Sequence, residues 1–333
     1  MLLLLLSLLW EGILTQRWPV ELELQESATV QEGLCLFVPC KFHPQNPYLS
    51  TRVFLFQKGV DLKDDALVAT NRQPVEKLQE RTQGRFLLPW TSNCSLIIRD
   101  AKKADSGTYL FWVGFSYNRQ TYGKKTLSLN VTALTQSPSI QVPAVLASGH
   151  PRNLTCTVPW ACEQGTPPLF SWTSAALTSP GPRTYLSSVL TLSPRPQDHG
   201  TSLTCQVTFP AVGVTMKTTI LLNVSYAPQN VAIGVLQGNN TALQIVGNAS
   251  SLIIPEGQSV HLHCTADSNP PPKLAWFQGS PARNTSPFSS TGYVALPHVG
   301  MGEKGVIACQ AQNQLGSQHV LLNLSVQSEF GIS

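Results

Sequence analysis

Short apolar runs recur along the chain and alternate with polar positions, the period-2 pattern of β-strands. In the first third, residues 21–24 alternate strictly, and apolar runs follow at 34–40, 53–56, 96–98 and 126–131. The run 53–56 is apolar at all four positions, which predicts a central strand. The pattern indicates an all-β fold.

Eight cysteines add a regular spacing to this pattern. Three pairs, Cys40/Cys94, Cys156/Cys205 and Cys264/Cys309, are separated by 54, 49 and 45 residues. Disulfides at this interval join distant strands of an immunoglobulin sandwich. Cys35 and Cys162 are left over and are candidates for a bridge across a domain junction. We therefore predict three tandem immunoglobulin-like sandwiches.

The predicted units have distinct types and boundaries. We assign a V-set domain to residues 17–134, C2-type domains to 135–226 and 227–328, and a tail to 329–333. The shorter intervals from cysteine through Trp172 or Trp276 to the next cysteine favour the constant type for the second and third units. The junctions at 131–138 and 224–228 are short and bounded by proline, which predicts a semi-rigid rod.

The N-terminus and the sequons indicate secretion. The apolar run 1–10 has the length of a signal peptide, and we assign residues 1–16 to it; a buried strand is the alternative. Since no later run reaches transmembrane length, we expect either a secreted form or the ectodomain of a truncated receptor at the extracellular side of the plasma membrane. Eight Asn-x-Ser/Thr sequons agree with this: Asn93, Asn130, Asn153, Asn223, Asn239, Asn248, Asn284 and Asn323.

Composition and motifs exclude several kinds of function. Only 12% of residues are charged and the net charge is +4, without a cluster of cations and aromatics, so we expect no nucleic-acid partner. Residues 300–305 match G-x-G-x-x-G, but a strand follows where a dinucleotide site needs a helix. His261 and His263 share a strand face, and solvent exposure is a better interpretation than a metal site. We expect no cofactor, no metal and no catalysis.

The first unit has one departure from a standard variable domain. Asp105 and Tyr109 match the turn into strand F, with Tyr109 placed for a tyrosine corner and Arg85 placed to pair with Asp105. Phe111 stands where strand F normally carries a cysteine. The partner of Cys40 has moved to Cys94 on strand E, so this bridge is expected within one sheet, leaving the two sheets free to separate.

The shifted cysteine and several segments resemble the Siglecs, the sialic-acid-binding immunoglobulin-like lectins, and in particular their rapidly diversifying myeloid branch. The segments are 30–35 (VQEGLC), 68–71 (VATN), 82–86 (TQGRF), 93–96 (NCSL), 98–101 (IRDA), 160–168 (WACEQGTPP), 194–200 (PRPQDHG), 268–271 (SNPP) and 276–279 (WFQG). The resemblance implies sialylated glycans on cell surfaces as ligands. It also implies the bridges Cys40–Cys94 and Cys35–Cys162.

In this family one strand-F arginine binds the sialate carboxylate with a bidentate guanidinium. The matching position here is Trp112, and the family's strand-G contact segment matches Arg119, Gln120 and Thr121. Aromatic positions of strands A and G match Val20 and Gln120, and the strand-C tryptophan matches Leu55. Indole has one donor and no charge, so Trp112 does not replace the arginine.

Three interpretations remain open at this point. The chain is a Siglec-type recognition protein with weakened sialate binding, a lectin that recovers anion binding through Arg119 or Lys124 and Lys125, or a module that binds a protein ligand through the sheet around Trp112. In each, Trp112 is either part of an altered ligand surface or an aromatic left after loss of the site.

Overall fold

The computed structural model describes residues 22–42, 52–59, 66–71, 78–89, 94–114, 121–174, 179–238, 242–281 and 285–327. Regular structure within these ranges consists of 26 β-strands and three short 3-10 turns. This confirms the all-β prediction. No helix among the described residues is long and apolar enough to cross a membrane. The predicted signal peptide 1–16 and tail 329–333 lie outside the described ranges.

The first sandwich contains ten strands: β1 (Leu22–Leu24), β2 (Ser27–Gln31), β3 (Leu36–Val38), β4 (Cys40–Phe42), β5 (Arg52–Gln57), β6 (Ala66–Thr70), β7 (Phe86–Leu87), β8 (Leu96–Ile98), β9 (Gly107–Gly114) and β10 (Thr121–Thr132). The front sheet has the order β2-β10-β9-β5-β6. The opposite side consists of β3-β8-β7 and of β1-β4. Tyr109, Phe111 and Leu55 are fully buried between the two sides.

Four disulfides are present, and they join Cys35 to Cys162, Cys40 to Cys94, Cys156 to Cys205 and Cys264 to Cys309. The Cys40–Cys94 bridge continues the register in which Val38 of β3 pairs with Leu96 of β8. It therefore links neighbouring strands on one side of the sandwich. Phe111 fills the core at the strand-F position where an inter-sheet bridge would otherwise end.

A 3-10 turn precedes strand F in every unit: Lys103–Asp105, Pro196–Asp198 and Met301–Glu303. In each, the acidic third residue accepts a hydrogen bond of 2.8 Å from the backbone N–H of the residue before the turn. The last of these turns occupies the G-x-G-x-x-G segment and leads directly into a strand. The repeated turn fixes where strand F begins.

The first of these turns carries the predicted ion pair and tyrosine corner. Arg85 donates to both carboxylate oxygens of Asp105 at 2.7 and 2.9 Å. The hydroxyl of Tyr109 donates to the backbone oxygen of Asp105 at 2.6 Å. These contacts hold strand β9 in place at its start, and thereby position its outer face.

The second sandwich contains β11 (Ser139–Gln141), β12 (Leu146–Ala147), β13 (Arg152–Thr157), β14 (Leu169–Thr173), β15 (Ser179–Arg183), β16 (Ser187–Leu192), β17 (Ser202–Phe209) and β18 (Val214–Leu221). One sheet has the order β11-β13-β16-β15 and the other β14-β17-β18. Four strands against three is the constant-type arrangement.

The third sandwich contains β19 (Val224–Gln237), β20 (Gln244–Val246), β21 (Ser250–Pro255), β22 (Val260–Asn269), β23 (Lys273–Gln278), β24 (Tyr293–Leu296), β25 (Gly305–Asn313) and β26 (Gly316–Gln327). One sheet is β21-β26-β25-β23, and the other contains β19, β22 and β24. Strand β19 crosses the junction, because Val224 pairs with Leu146 while Tyr226 pairs with Asn269.

The first two sandwiches make direct contact beside the Cys35–Cys162 bridge. The Asp100 carboxylate accepts hydrogen bonds from the backbone N–H and the hydroxyl of Thr166, the latter at 2.8 Å. Gly33 has φ +82°, and a Cβ there would lie 3.0 Å from a methyl of Val212. A side chain at position 33 would therefore be strained by this backbone conformation and would require Val212 of the second unit to shift by a few tenths of an ångström.

Five of the eight asparagines in predicted glycosylation sites lie on the described surface. Asn130, Asn153, Asn223, Asn248 and Asn323 are exposed, whereas Asn93, Asn239 and Asn284 lie outside the described residues. The two strand histidines, His261 and His263, are less exposed than the sequence predicts, because both rings pack against the Tyr293 ring and His261 shares a hydrogen bond with its hydroxyl.

Candidate functional site

The outer face of strand β9 carries the candidate residue Trp112. Tyr109, Phe111 and Val113 point into the core and are at most 1% exposed, whereas Leu110 and Trp112 are only partly buried. Successive side chains of a strand point to opposite faces, so Leu110 and Trp112 lie on the outer surface of the front sheet.

Trp112 lies in a row of residues that runs straight across the front sheet. Lys124 of β10 pairs with Trp112, Trp112 pairs with Phe54 of β5, and Phe54 pairs with Thr70 of β6. Paired residues on neighbouring strands share a face and have Cβ atoms about 5 Å apart. A cation, an indole and a phenyl ring are therefore neighbours on this surface.

Three aromatic rings form a cluster on this face. The ring centroid of Trp112 lies 5.5 Å from that of Phe54 and 6.0 Å from that of Phe56. The two phenylalanine rings are stacked with centroids 6.2 Å apart. We call Phe54, Phe56 and Trp112 the aromatic cluster. Its distances are those of favourable ring pairs.

The two lysines of strand β10 lie on opposite faces, which separates two residues that the sequence analysis considered together. Lys124 pairs with Trp112, whereas Lys125 pairs with the inward-pointing Phe111. Lys125 borders a groove formed with Leu24, Cys40 and Lys41 at the sheet edge. Of these two lysines, Lys124 is the one placed beside Trp112.

Arg52 is the cation on this face that sequence reasoning missed. It is the first residue of β5 and pairs with Gly114 of β9, two positions along from Trp112. Its Nε is buried and has no hydrogen-bond partner, and the same is true of Trp112 Nε1. The register of β5 with β9, which the sequence alone did not supply, is what brings Arg52 next to Trp112.

Other predicted contact residues are only partly placed. Arg119, Gln120 and Val20 lie outside the described residues. Thr121 begins β10, where its backbone pairs with Gly114, and the register shifts between Thr121 and Gly123. The described part of the site therefore consists of the aromatic cluster with Arg52 and Lys124.

Comparisons with known proteins agree with this architecture. Residues 23–132 match the model of the immunoglobulin V-set domain, and residues 244–313 match that of an immunoglobulin domain. The chain is 54% identical over 331 residues to human sialic acid-binding Ig-like lectin 6, an alignment that covers 98% of this chain and 72% of that protein. The chain belongs to the Siglec family.

Two further Siglecs differ in how much of their length this chain spans. Chimpanzee sialic acid-binding Ig-like lectin 13 is 49% identical, with 99% of this chain and 87% of that protein aligned. Human sialic acid-binding Ig-like lectin 12 is 52% identical, with 93% of this chain but only 53% of that protein aligned.

Membership in the Siglec family makes position 112 the informative one. This is the outward position on strand β9 at which the sequence predicts the family's carboxylate-binding arginine. In the present Siglec an uncharged indole packed against two phenylalanines occupies it.

Proposed function

We propose that this chain is a glycan-recognition and adhesion module of the cell surface, exposed on the extracellular side of the plasma membrane, whose V-set domain binds sialylated glycans weakly. The observation that carries the proposal is the packing of Trp112 against Phe54 and Phe56 at the position expected for the arginine. An indole offers a single N–H donor and no charge, whereas the carboxylate needs a guanidinium fork.

The expected loss of affinity is large. Removing one side of a desolvated, charge-assisted pair costs about 2–5 kcal/mol. At 1.4 kcal/mol per tenfold change, this corresponds to a loss of roughly 30-fold to several thousand-fold in affinity. Binding of a sialoside at position 112 is weakened by this factor, so the test displays the protein multivalently to reveal residual binding.

A second candidate function is recognition of a protein ligand through the aromatic cluster. Aromatic residues are enriched in the centres of protein interfaces, where they contribute large buried areas. Three partly buried aromatic rings on the outer face of a V-set sheet favour this alternative.

The test uses the chain without residues 1–16, displayed on multivalent beads and added to red cells before and after sialidase treatment. The proposal predicts little binding that depends on sialic acid. Strong binding that sialidase abolishes would contradict it. Binding that is strong on both kinds of cell and sensitive to protease treatment would favour the protein ligand.

A further inference from the structure

The charged residues in the described strands of the front sheet are all positive. Among the described strands β5, β6, β9 and β10, the charged residues are Arg52, Lys124 and Lys125, and all three are cationic. Lys125 points away from the aromatic cluster, which leaves Arg52 and Lys124 on the outer face. A surface of this kind favours an anionic partner over a second copy of itself, because like charges would meet in a dimer.

No ion pair neutralises the charge of Arg52 among the described residues. In the described part of the chain its guanidinium forms no ion pair, hydrogen bond or ring contact, although Nε is buried. Two other cations of the V-set domain do form ion pairs, Arg85 with Asp105 and Lys103 with Glu32, whereas Arg99 on the other side of the sandwich has a buried, unpaired Nε like that of Arg52. A buried donor without an acceptor is costly, so an acceptor supplied from outside the chain would be stabilising at this position.

Trp112 presents a second donor without an acceptor in the same area. Its Nε1 is buried and unpaired. Arg52 pairs with Gly114, and Trp112 lies two residues before Gly114 on the same strand. Diagonal neighbours of this kind are about 7–8 Å apart at the backbone, within reach of long side chains.

We propose that Arg52 and Trp112 form a binding site for the anionic group of an acidic saccharide, a carboxylate or a sulfate ester. This inference rests on the proposed function and assigns the ligand class and the cation for it. Arg52 binds the anionic oxygens through its guanidinium, and Trp112 provides an aromatic surface for the sugar ring. Lys124, on the other side of Trp112, adds a second positive charge.

The chemistry of the three residues fits this ligand class. Arginine matches a carboxylate or sulfate with two parallel hydrogen bonds, which lysine cannot do. A sugar offers an apolar ring face as well as an anionic substituent, and the site offers an aromatic ring next to a cation. The proposed binding cation therefore lies on β5, which is strand C of the sandwich. The family resemblance places it on the neighbouring strand F, which is β9.

The experiment measures binding of the intact chain, without residues 1–16, to beads that carry sialyllactose, 6-sulfated N-acetyllactosamine or neutral N-acetyllactosamine. Arg52→Gln removes the charge, and Arg52→Lys keeps the charge without the fork. Arg99→Gln is the matched control, because Arg99 directly follows β8 on the other side of the sandwich and also has a buried, unpaired Nε. Lys124→Gln is compared with Lys125→Gln in the same way.

The proposal predicts that at least one anionic probe binds more strongly than the neutral probe. Arg52→Gln should weaken that binding about 10- to 100-fold, since a hydrogen-bonded charge is lost, and Arg52→Lys should fall between it and the wild type. Lys124→Gln should reduce binding by a smaller factor, and Arg99→Gln and Lys125→Gln should have no effect. The preferred probe distinguishes carboxylate from sulfate.

Two results would overturn the inference: equal binding of anionic and neutral probes, or anionic binding that Arg52→Gln leaves unchanged in a folded protein. These are separable from failure of the proposed function. Strong sialoside binding by the wild type that is insensitive to Arg52→Gln contradicts both. Weak sialoside binding together with no effect of Arg52→Gln on the sulfated probe contradicts this inference alone.

Discussion

Trp112 and Phe54 lie directly opposite each other on strands β9 and β5, with ring centroids 5.5 Å apart. This contact makes Trp112 a structural part of the sheet surface as well as a candidate ligand residue. Both roles have to be separated when position 112 is changed, because a variant that unfolds says nothing about binding.

Trp112→Ala should lower the free energy of unfolding by about 1–3 kcal/mol, because two ring contacts and part of the buried indole are lost. Phe288→Ala is the control. Phe288 is 51% exposed, and its removal should change stability by less than about 0.5 kcal/mol. Equal urea midpoints for the two variants would contradict the packing role of Trp112.

Asp105→Asn should cost about 3–5 kcal/mol, because it leaves the charge of Arg85 without its buried partner. The Asp105 side chain is 1% exposed and that of Arg85 14% exposed. Glu32→Gln provides the comparison: its partner Lys103 is 63% exposed, and exposed pairs contribute up to about 1 kcal/mol. If both substitutions lower the unfolding temperature equally, the prediction that the buried ion pair contributes more stability than the exposed one is contradicted.

Gly165→Ala should disturb the junction of the first two sandwiches, because a Cβ there would lie 2.6 Å from a carboxylate oxygen of Asp100. Loss of the Asp100–Thr166 hydrogen bonds should cost about 1–3 kcal/mol. Gly302→Ala, where a Cβ meets nothing within 4 Å, is the control. Identical unfolding temperatures and scattering profiles for both variants would show that the contact contributes nothing.

Two tyrosines should ionise late in alkaline titration. Burial, aided by the Asp105 charge, raises the pKa of Tyr109 to about 12, and the hydrogen bond to Asp267 raises the pKa of Tyr226 to about 12 as well. Because the folded pKa exceeds the unfolded value of about 10, their stabilising contribution is complete below pH 10 and is lost as the pH rises towards 12. The measurement is the phenolate absorbance during an alkaline titration. The Tyr226→Phe variant should show one fewer tyrosine ionising near pH 12 than the wild type. An unchanged late phase would argue against the Asp267 hydrogen bond.

Much of this architecture follows from local sequence signals. Cysteine spacing and the residues around Asp105 and Tyr109 are short-range patterns, and they predicted the sandwiches, the ion pair and the tyrosine corner. The run 53–56 was predicted only as a central strand. Phe54 and Phe56 lie on the outer face while Val53 and Leu55 are buried, because strand alternation applies even where every residue is apolar.

The candidate site was less predictable because it depends on register between strands distant in the sequence. Arg52 is 60 residues before Trp112, and only the pairing of β5 with β9 makes them neighbours. In the same way, Lys124 and Lys125 are adjacent residues of the same type, yet a single step along β10 places their side chains on opposite faces. Periodicity gives the alternation, whereas tertiary pairing decides which alternate residues meet.

The most direct measurement of the central claim, that Trp112 replaces the residue that binds sialate, is multivalent binding by Trp112→Arg. The guanidinium should project from the outer face of β9, so the variant should gain binding that sialidase removes, and Gln120→Trp should strengthen it by about 1 kcal/mol through an added aromatic contact. Circular dichroism and the Trp112→Ala comparison control for folding. A folded double variant without any sialidase-sensitive binding would contradict the claim.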